Sequence, residues 1–122
     1  MIPENKKPAD ICERTFLYAV RIVKLCHHLE KQADVSRTLA KQLLRSGTSI
    51  GANVEEGRAG CSRPDFINKN VIALKEARET RYWLKLLAAS GVMQSSQLSE
   101  LEKEANELML ILGAIVVSSK KR

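Results

Sequence analysis

The 122-residue chain is poor in everything a disulfide scaffold, a metalloenzyme or a membrane protein needs. Aromatic residues make up only 4% of it, so any core is aliphatic, built from Leu, Ile, Val and Ala. Cys12, Cys26 and Cys61 are an odd number with no C-x-x-C spacing. That excludes a disulfide framework and suits a reducing compartment, with each thiol serving as a small buried hydrophobe. His27 and His28 are the only histidines. Being adjacent, they point about 100° apart on a helix, so a metal site would need ligands from distant segments. Neither G-x-S-x-G, nor a P-loop, nor a dinucleotide fingerprint is present, so catalytic, metal and cofactor residues are all expected to be none. No apolar run is long enough to span a bilayer, and the polar start, with Pro3 and Pro8, is unlike a signal peptide. A cytoplasmic protein with no membrane partner is expected.

What the chain does have is helical periodicity. One domain over 1–122 fits its length, with four helices at about 9–30, 36–57, 63–90 and 96–118. In the first, Phe16, Ala19, Ile22 or Val23, Cys26 and Leu29 form an apolar stripe. Leu17, Val20 and Leu25 widen it almost to the full circumference, so this helix should touch more than one neighbour, a second subunit among them. Asp34 or Ser36 is placed to cap the second helix, whose apolar positions include Leu39, Leu43, Leu44, Ile50 and Val54. Gly47 and Gly51 share one face there, which permits close approach of another backbone; a continuous helix and a break at Gly51 are both open. Gly57 and Gly60 end the segment.

Ser62-Arg63-Pro64-Asp65 reads as a helix start, with Ser62 as cap. The third helix places Phe66, Ala73, Ala77, Leu84 and Leu87 near one seam, and Gly91 terminates it. Ser95 or Ser96 is placed to cap the fourth. There Leu98, Leu101, Ala105, Leu108, Leu112 and Ile115 follow the alternating spacing of a bundle seam. The tail from Ser118 to Arg122 is expected to fray. Short connections between long helices imply an all-α, up-down-up-down antiparallel four-helix bundle.

Two polar sets are left over. Asn53, Glu56, Glu76 and Glu79 sit inside helices that must pack; with no matched Glu-x-x-His partner, they read as a network that sets helix register. Basic residues form stripes: Arg14, Arg21 and Lys24 on the first helix, Arg37, Lys41 and Arg45 on the second. With 20 Lys+Arg against 14 Asp+Glu, the net charge is +6, which favours anionic partners. The stripes are candidates for RNA or DNA phosphates, whereas thin aromatic interleaving disfavours sequence-specific readout. The competing reading is a protein scaffold or adaptor whose charge serves only solubility.

From Gln42 to Gly57 the chain reads QLLRSGTSIGANVEEG, and from Ala73 to Leu84 it reads ALKEARETRYWL. Both segments resemble the four-helix-bundle proteins encoded in 23S rRNA intervening sequences, a resemblance that extends from about Ile11 to Ser118. Many members carry Pro where this chain has Gly51. The resemblance implies a bundle, a homopentamer with a central channel, and no known enzyme activity. More distantly the chain is similar to the accessory variability determinant of diversity-generating retroelements, a basic pentamer that binds nucleic acid and a reverse transcriptase. That likeness implies self, nucleic acid, and a reverse transcriptase or another protein as partners.

Overall fold

A computed structural model describes residues 10–60 and 62–121. Cys61, Arg122 and the segment from Met1 to Ala9 lie outside it, as do the expectations that fall on them. Four helices follow in order: α1 Ile11–Leu29, α2 Asp34–Arg58, α3 Arg63–Ala89 and α4 Ser95–Lys120. Every end lies within two residues of its expected position. Ser118 to Lys120 belong to α4, so the expected fraying is not seen in them.

Local chemistry accounts for the helix ends. Asp10 caps α1 by accepting from the Glu13 N–H at 2.9 Å, and this bond, with Arg58 nearby, holds its carboxyl below the usual range. Ser62 caps α3 by accepting from the Asp65 N–H at 3.3 Å, with Pro64 in the first turn. Two caps differ from expectation. Ala33, with no side-chain bond, precedes α2, because Ser36 is drawn inward and buried. Gln94 and Gln97 form a reciprocal capping box on α4, where a serine cap was expected. Gly91, with φ at +81°, terminates α3 in the left-handed region.

Consecutive helices pack side by side, α1 also meets α4, and the diagonal pairs stay apart. Pairings run in opposite order along neighbours. Gly47 and Gly51 of α2 face Ile22 and Thr15 of α1, and Ser46 and Glu56 of α2 meet Thr80 and Lys69 of α3. The arrangement is the expected antiparallel four-helix bundle. Its core is aliphatic, with Ile22, Leu29, Leu43, Ile50, Leu84, Leu87, Leu98, Leu108 and Leu112 fully buried. Each such side chain contributes about 1.5–3 kcal/mol by leaving water.

Helix α2 is continuous through Gly51. Its glycines serve a close approach to α1: a Cβ on Gly47 would stand 2.7 Å from Ile22 Cγ2, and one on Gly51 would stand 3.2 Å from the Thr15 carbonyl oxygen. The small-residue face is therefore filled from within the chain.

The phase of α1 differs from its apolar pattern. The buried residues are Thr15, Tyr18, Ile22, Cys26 and Leu29, and Phe16 is 64% exposed. Tyr18 turns inward because its hydroxyl donates to the Leu101 carbonyl of α4 at 2.9 Å, and burial pushes its pKa up. The Thr15 hydroxyl donates to the Ile11 carbonyl one turn back, so its burial leaves nothing unpaired. In α4 the seam ends on Val116, with Ile115 half-buried. A straight helix drifts by about 20° per heptad from a strict seven-residue repeat, which shifts the last contact by one position.

Candidate functional site

Helices α2 and α3 are joined by a chain of polar contacts. Arg45 reaches across to Glu76 at 3.2 Å and also grips Glu79. Glu79 in turn accepts from the Trp83 indole N–H at 2.9 Å. That bond, and then Arg45, hold the Glu79 carboxyl below its usual range. The next residue on each helix turns to the core, where the Thr80 and Ser46 hydroxyls meet at 3.0 Å, both fully buried. Further along, Lys69 pairs with Glu56 at 2.7 Å. The structure thus ties Glu56, Glu76 and Glu79 to the facing helix. Asn53 is different, since its amide donates to the Ser49 carbonyl of its own helix at 2.8 Å and, among the described residues, to no other helix. Among the described residues no cluster of His, Cys, Asp and Glu is arranged to hold a metal. No described helix is long and apolar enough to cross a membrane.

The six candidate phosphate contacts fall into two groups. Arg14 lies in the α1–α4 seam, where its guanidinium forks onto Glu104 at 2.7 and 2.8 Å and also meets Glu107. These bonds push its pKa further above the ordinary arginine value. Arg37 is held by Asp34 and by the Gln32 carbonyl at 2.8 Å, and Arg45 by its two glutamates. For these three, a phosphate must compete with a carboxylate already in place. Arg21, Lys24 and Lys41 are exposed and form no ion pair among the described residues. The periodic rows of the sequence are therefore not continuous free-charge rows in the fold.

Exposed large apolar residues include Val35 and Leu44 on α2, and others group on α1 and α4. On α1, Phe16, Leu17 and Val23 face solvent, and Phe16 helps to line a groove of about 470 Å³ between α1 and α2. Cys12, Ala19, Gly51 and Ala52 floor that groove, with Glu55 and Glu56 at one end. On α4, Leu110 is 74% exposed and Val117 lies two turns further on the same side. Sequence reasoning anticipated surplus apolar surface on α1; it missed Leu110, whose hydrophobicity was hidden inside the long apolar run from Leu108 to Leu112.

The two thiols among the described residues are chemically quiet. Cys26 is buried against the Ala40 carbonyl at 3.4 Å, and burial pushes its pKa up to about 12. Cys12 is half-buried and is also shifted up, by desolvation. Neither has the depressed pKa of a nucleophile.

Comparisons with known proteins agree with this architecture. A solved structure from Bacteroides thetaiotaomicron VPI-5482, described as a protein of unknown function from the S23 ribosomal protein family, superposes with a TM-score of 0.80. It is 41% identical, and the match covers 88% of this chain and 98% of that one. No curated protein matches the chain. The family profile described as 23S rRNA-intervening sequence protein matches residues 7–114, nearly the whole bundle, and the chain belongs to that family.

Proposed function

We propose that this chain is a non-enzymatic, self-associating helical module of the cytoplasm that holds nucleic acid by its phosphate backbone. The observation that carries this reading is a surface cation excess left over after intramolecular pairing. The chain has a net charge of +6, and Arg21, Lys24 and Lys41 remain exposed and without ion pairs among the described residues. Such cations release condensed counterions when they meet phosphates, which drives sequence-independent binding. The family's connection with rRNA intervening sequences supports RNA-linked work; a role accessory to a process such as reverse transcription is the setting proposed.

Self-association is supported by the apolar residues that face outward. Phe16, Leu17 and Val23 lie on α1, and Leu110 and Val117 lie on α4. Two unlike patches on one chain favour a head-to-tail contact, which closes into a ring when the rotation between copies closes. A homopentamer is the ring proposed, and five copies at +6 each would carry +30, a strong field for an anionic polymer.

The test is an anisotropy titration with RNA and DNA at low and raised salt, beside native mass measurement. Binding that weakens steeply with salt is expected. Absence of binding to both nucleic acids, together with capture of a stable protein partner after nuclease treatment, would replace this reading with that of a scaffold.

A further inference from the structure

The outer face of α3 carries Lys75, Arg78, Tyr82 and Lys85, spaced by three, four and three residues. That spacing puts them in one row about 15 Å long at the helical rise. All four are exposed, and Tyr82 is 58% exposed. The three cations make no ion pair among the described residues. Carboxylates of the same helix do not neutralise them, since Glu76 and Glu79 lie on the flank toward α2, held by Arg45.

Tyr82 is also held in place. Its ring meets Trp83 edge-on, with centroids 5.1 Å apart and planes at 76°. Trp83 is anchored in turn by its bond to Glu79. The α2–α3 network thus does a second job: it fixes the side chain against which the exposed ring rests. A rigid aromatic face between cations one turn away is the arrangement that binds unpaired bases, because stacking needs only the base's π-face while the cations follow the backbone. A duplex offers no such face along its length, since its bases are already stacked on one another.

Resting on the reading of this protein as a nucleic-acid binder, we infer that the Lys75–Arg78–Tyr82–Lys85 row of α3 is a contact surface for single-stranded nucleic acid, with Tyr82 stacking a base and the three cations meeting phosphates. This surface is separate from the α1 and α2 stripes. Its cations start free, whereas Arg14, Arg37 and Arg45 must first leave carboxylates.

The experiment is fluorescence anisotropy of the full chain with a labelled 30-nucleotide oligouridine, the matching oligodeoxyuridine and a 30-base-pair duplex, at 50 and 200 mM KCl. Both single strands should bind more tightly than the duplex, and about equally, because neither stacking nor phosphate contact uses the 2′-hydroxyl. Three phosphate contacts contribute a salt exponent of about −2, or roughly a 20-fold loss of affinity over that range. Combining Lys75→Gln, Arg78→Gln and Lys85→Gln should remove that share of the salt dependence. Tyr82→Ala should weaken binding about tenfold, while Tyr82→Phe keeps it. All four positions are exposed, so these variants should keep the parent melting temperature, checked by circular dichroism.

If the parent binds and these variants bind as it does, while Arg21→Gln, Lys24→Gln and Lys41→Gln together abolish binding, the α3 assignment is overturned and the functional reading stands. Tighter binding to the duplex overturns the assignment too. A parent chain that binds none of the three probes overturns the functional reading itself.

Discussion

Replacing Gly47 by alanine sets two opposing terms against each other, and the structure decides the sign. In a helix interior alanine is favoured over glycine by about 1 kcal/mol. At Gly47, however, the added Cβ would stand 2.7 and 2.9 Å from Ile22 Cγ2 and Cγ1, inside van der Waals contact. Ile22 is fully buried and has nowhere to turn, so the α1–α2 contact must open. Overpacking of this kind costs about 1–3 kcal/mol, and with two such contacts the upper half applies. The net expectation is a loss of about 1–2 kcal/mol, a fall in Tm of roughly 4–8 °C for a chain of this size. Gly113 supplies the internal control. It also lies within a helix, α4, but a Cβ there meets nothing within 4 Å. Gly113→Ala keeps the propensity gain without the clash, and should raise stability by about 0.5–1 kcal/mol. Urea unfolding followed at 222 nm, at one fixed protomer concentration, measures both. Movement of the two midpoints in the same direction would refute the reasoning, because helix propensity would then outweigh packing at Gly47.

Four further outcomes are expected. Arg14→Met should lower stability by about 1–2 kcal/mol in the same unfolding assay, because the forked contact with Glu104 lies largely out of solvent; Arg37→Met should change it by less than about 0.5 kcal/mol, since its partner Asp34 is almost fully exposed. Glu79 has a folded-state pKa below its ordinary 4.5, so its contribution is present above that value and is lost as pH falls through the folded pKa. Glu79→Gln should therefore flatten the acid side of the stability curve, and an unchanged acid limb would remove Glu79 from that role. In native-state alkylation followed by peptide mapping, Cys26 should label only on unfolding and Cys12 more slowly than a free thiol; rapid labelling of Cys26 would contradict its burial. Phe16→Ser with Leu110→Ser should lower the oligomer mass while leaving helix content unchanged, measured by sedimentation and circular dichroism.

The four helices were legible because their seams obey a simple period, and the residues that break it mark where tertiary contacts prevail. Along α3 and α4 the buried apolar residues sit almost where spacing puts them. On α1 the pattern was too full to fix a phase, since apolar residues occupy most of the circumference. Hydrophobicity ranks Phe16 above Thr15 and Tyr18, but the fold buries the latter two. Tyr18 can go inside because the Leu101 carbonyl receives its hydroxyl, and Thr15 because its hydroxyl returns to its own helix. The same logic hid Asn70 on α3, buried with its amide donating to the Phe66 carbonyl one turn back. Periodicity finds apolar seams; it does not find polar residues whose partners are one turn back.

Charge was legible as a total and not as a surface. Arg37, Lys41 and Arg45 recur every four residues, yet only Lys41 remains unpaired among the described residues, because Asp34 and the two α3 glutamates take the others. An i, i+4 row says which side chains share a helix face; whether each charge is free depends on the neighbouring helix, which a single helix's spacing does not encode. Seen this way, the acidic residues of α3 are as informative as the basic ones. Glu76 and Glu79 hold Arg45 on the α2 flank of α3, and Lys75, Arg78 and Lys85 are left unpaired on its outer face. The ion pairs that join α2 to α3 therefore also decide which of these cations are left unpaired at the surface. Removing Glu76 or Glu79 would both loosen that α2–α3 contact and release Arg45, so their variants cannot report on binding alone, whereas neutralising the outer row tests binding with the contact intact.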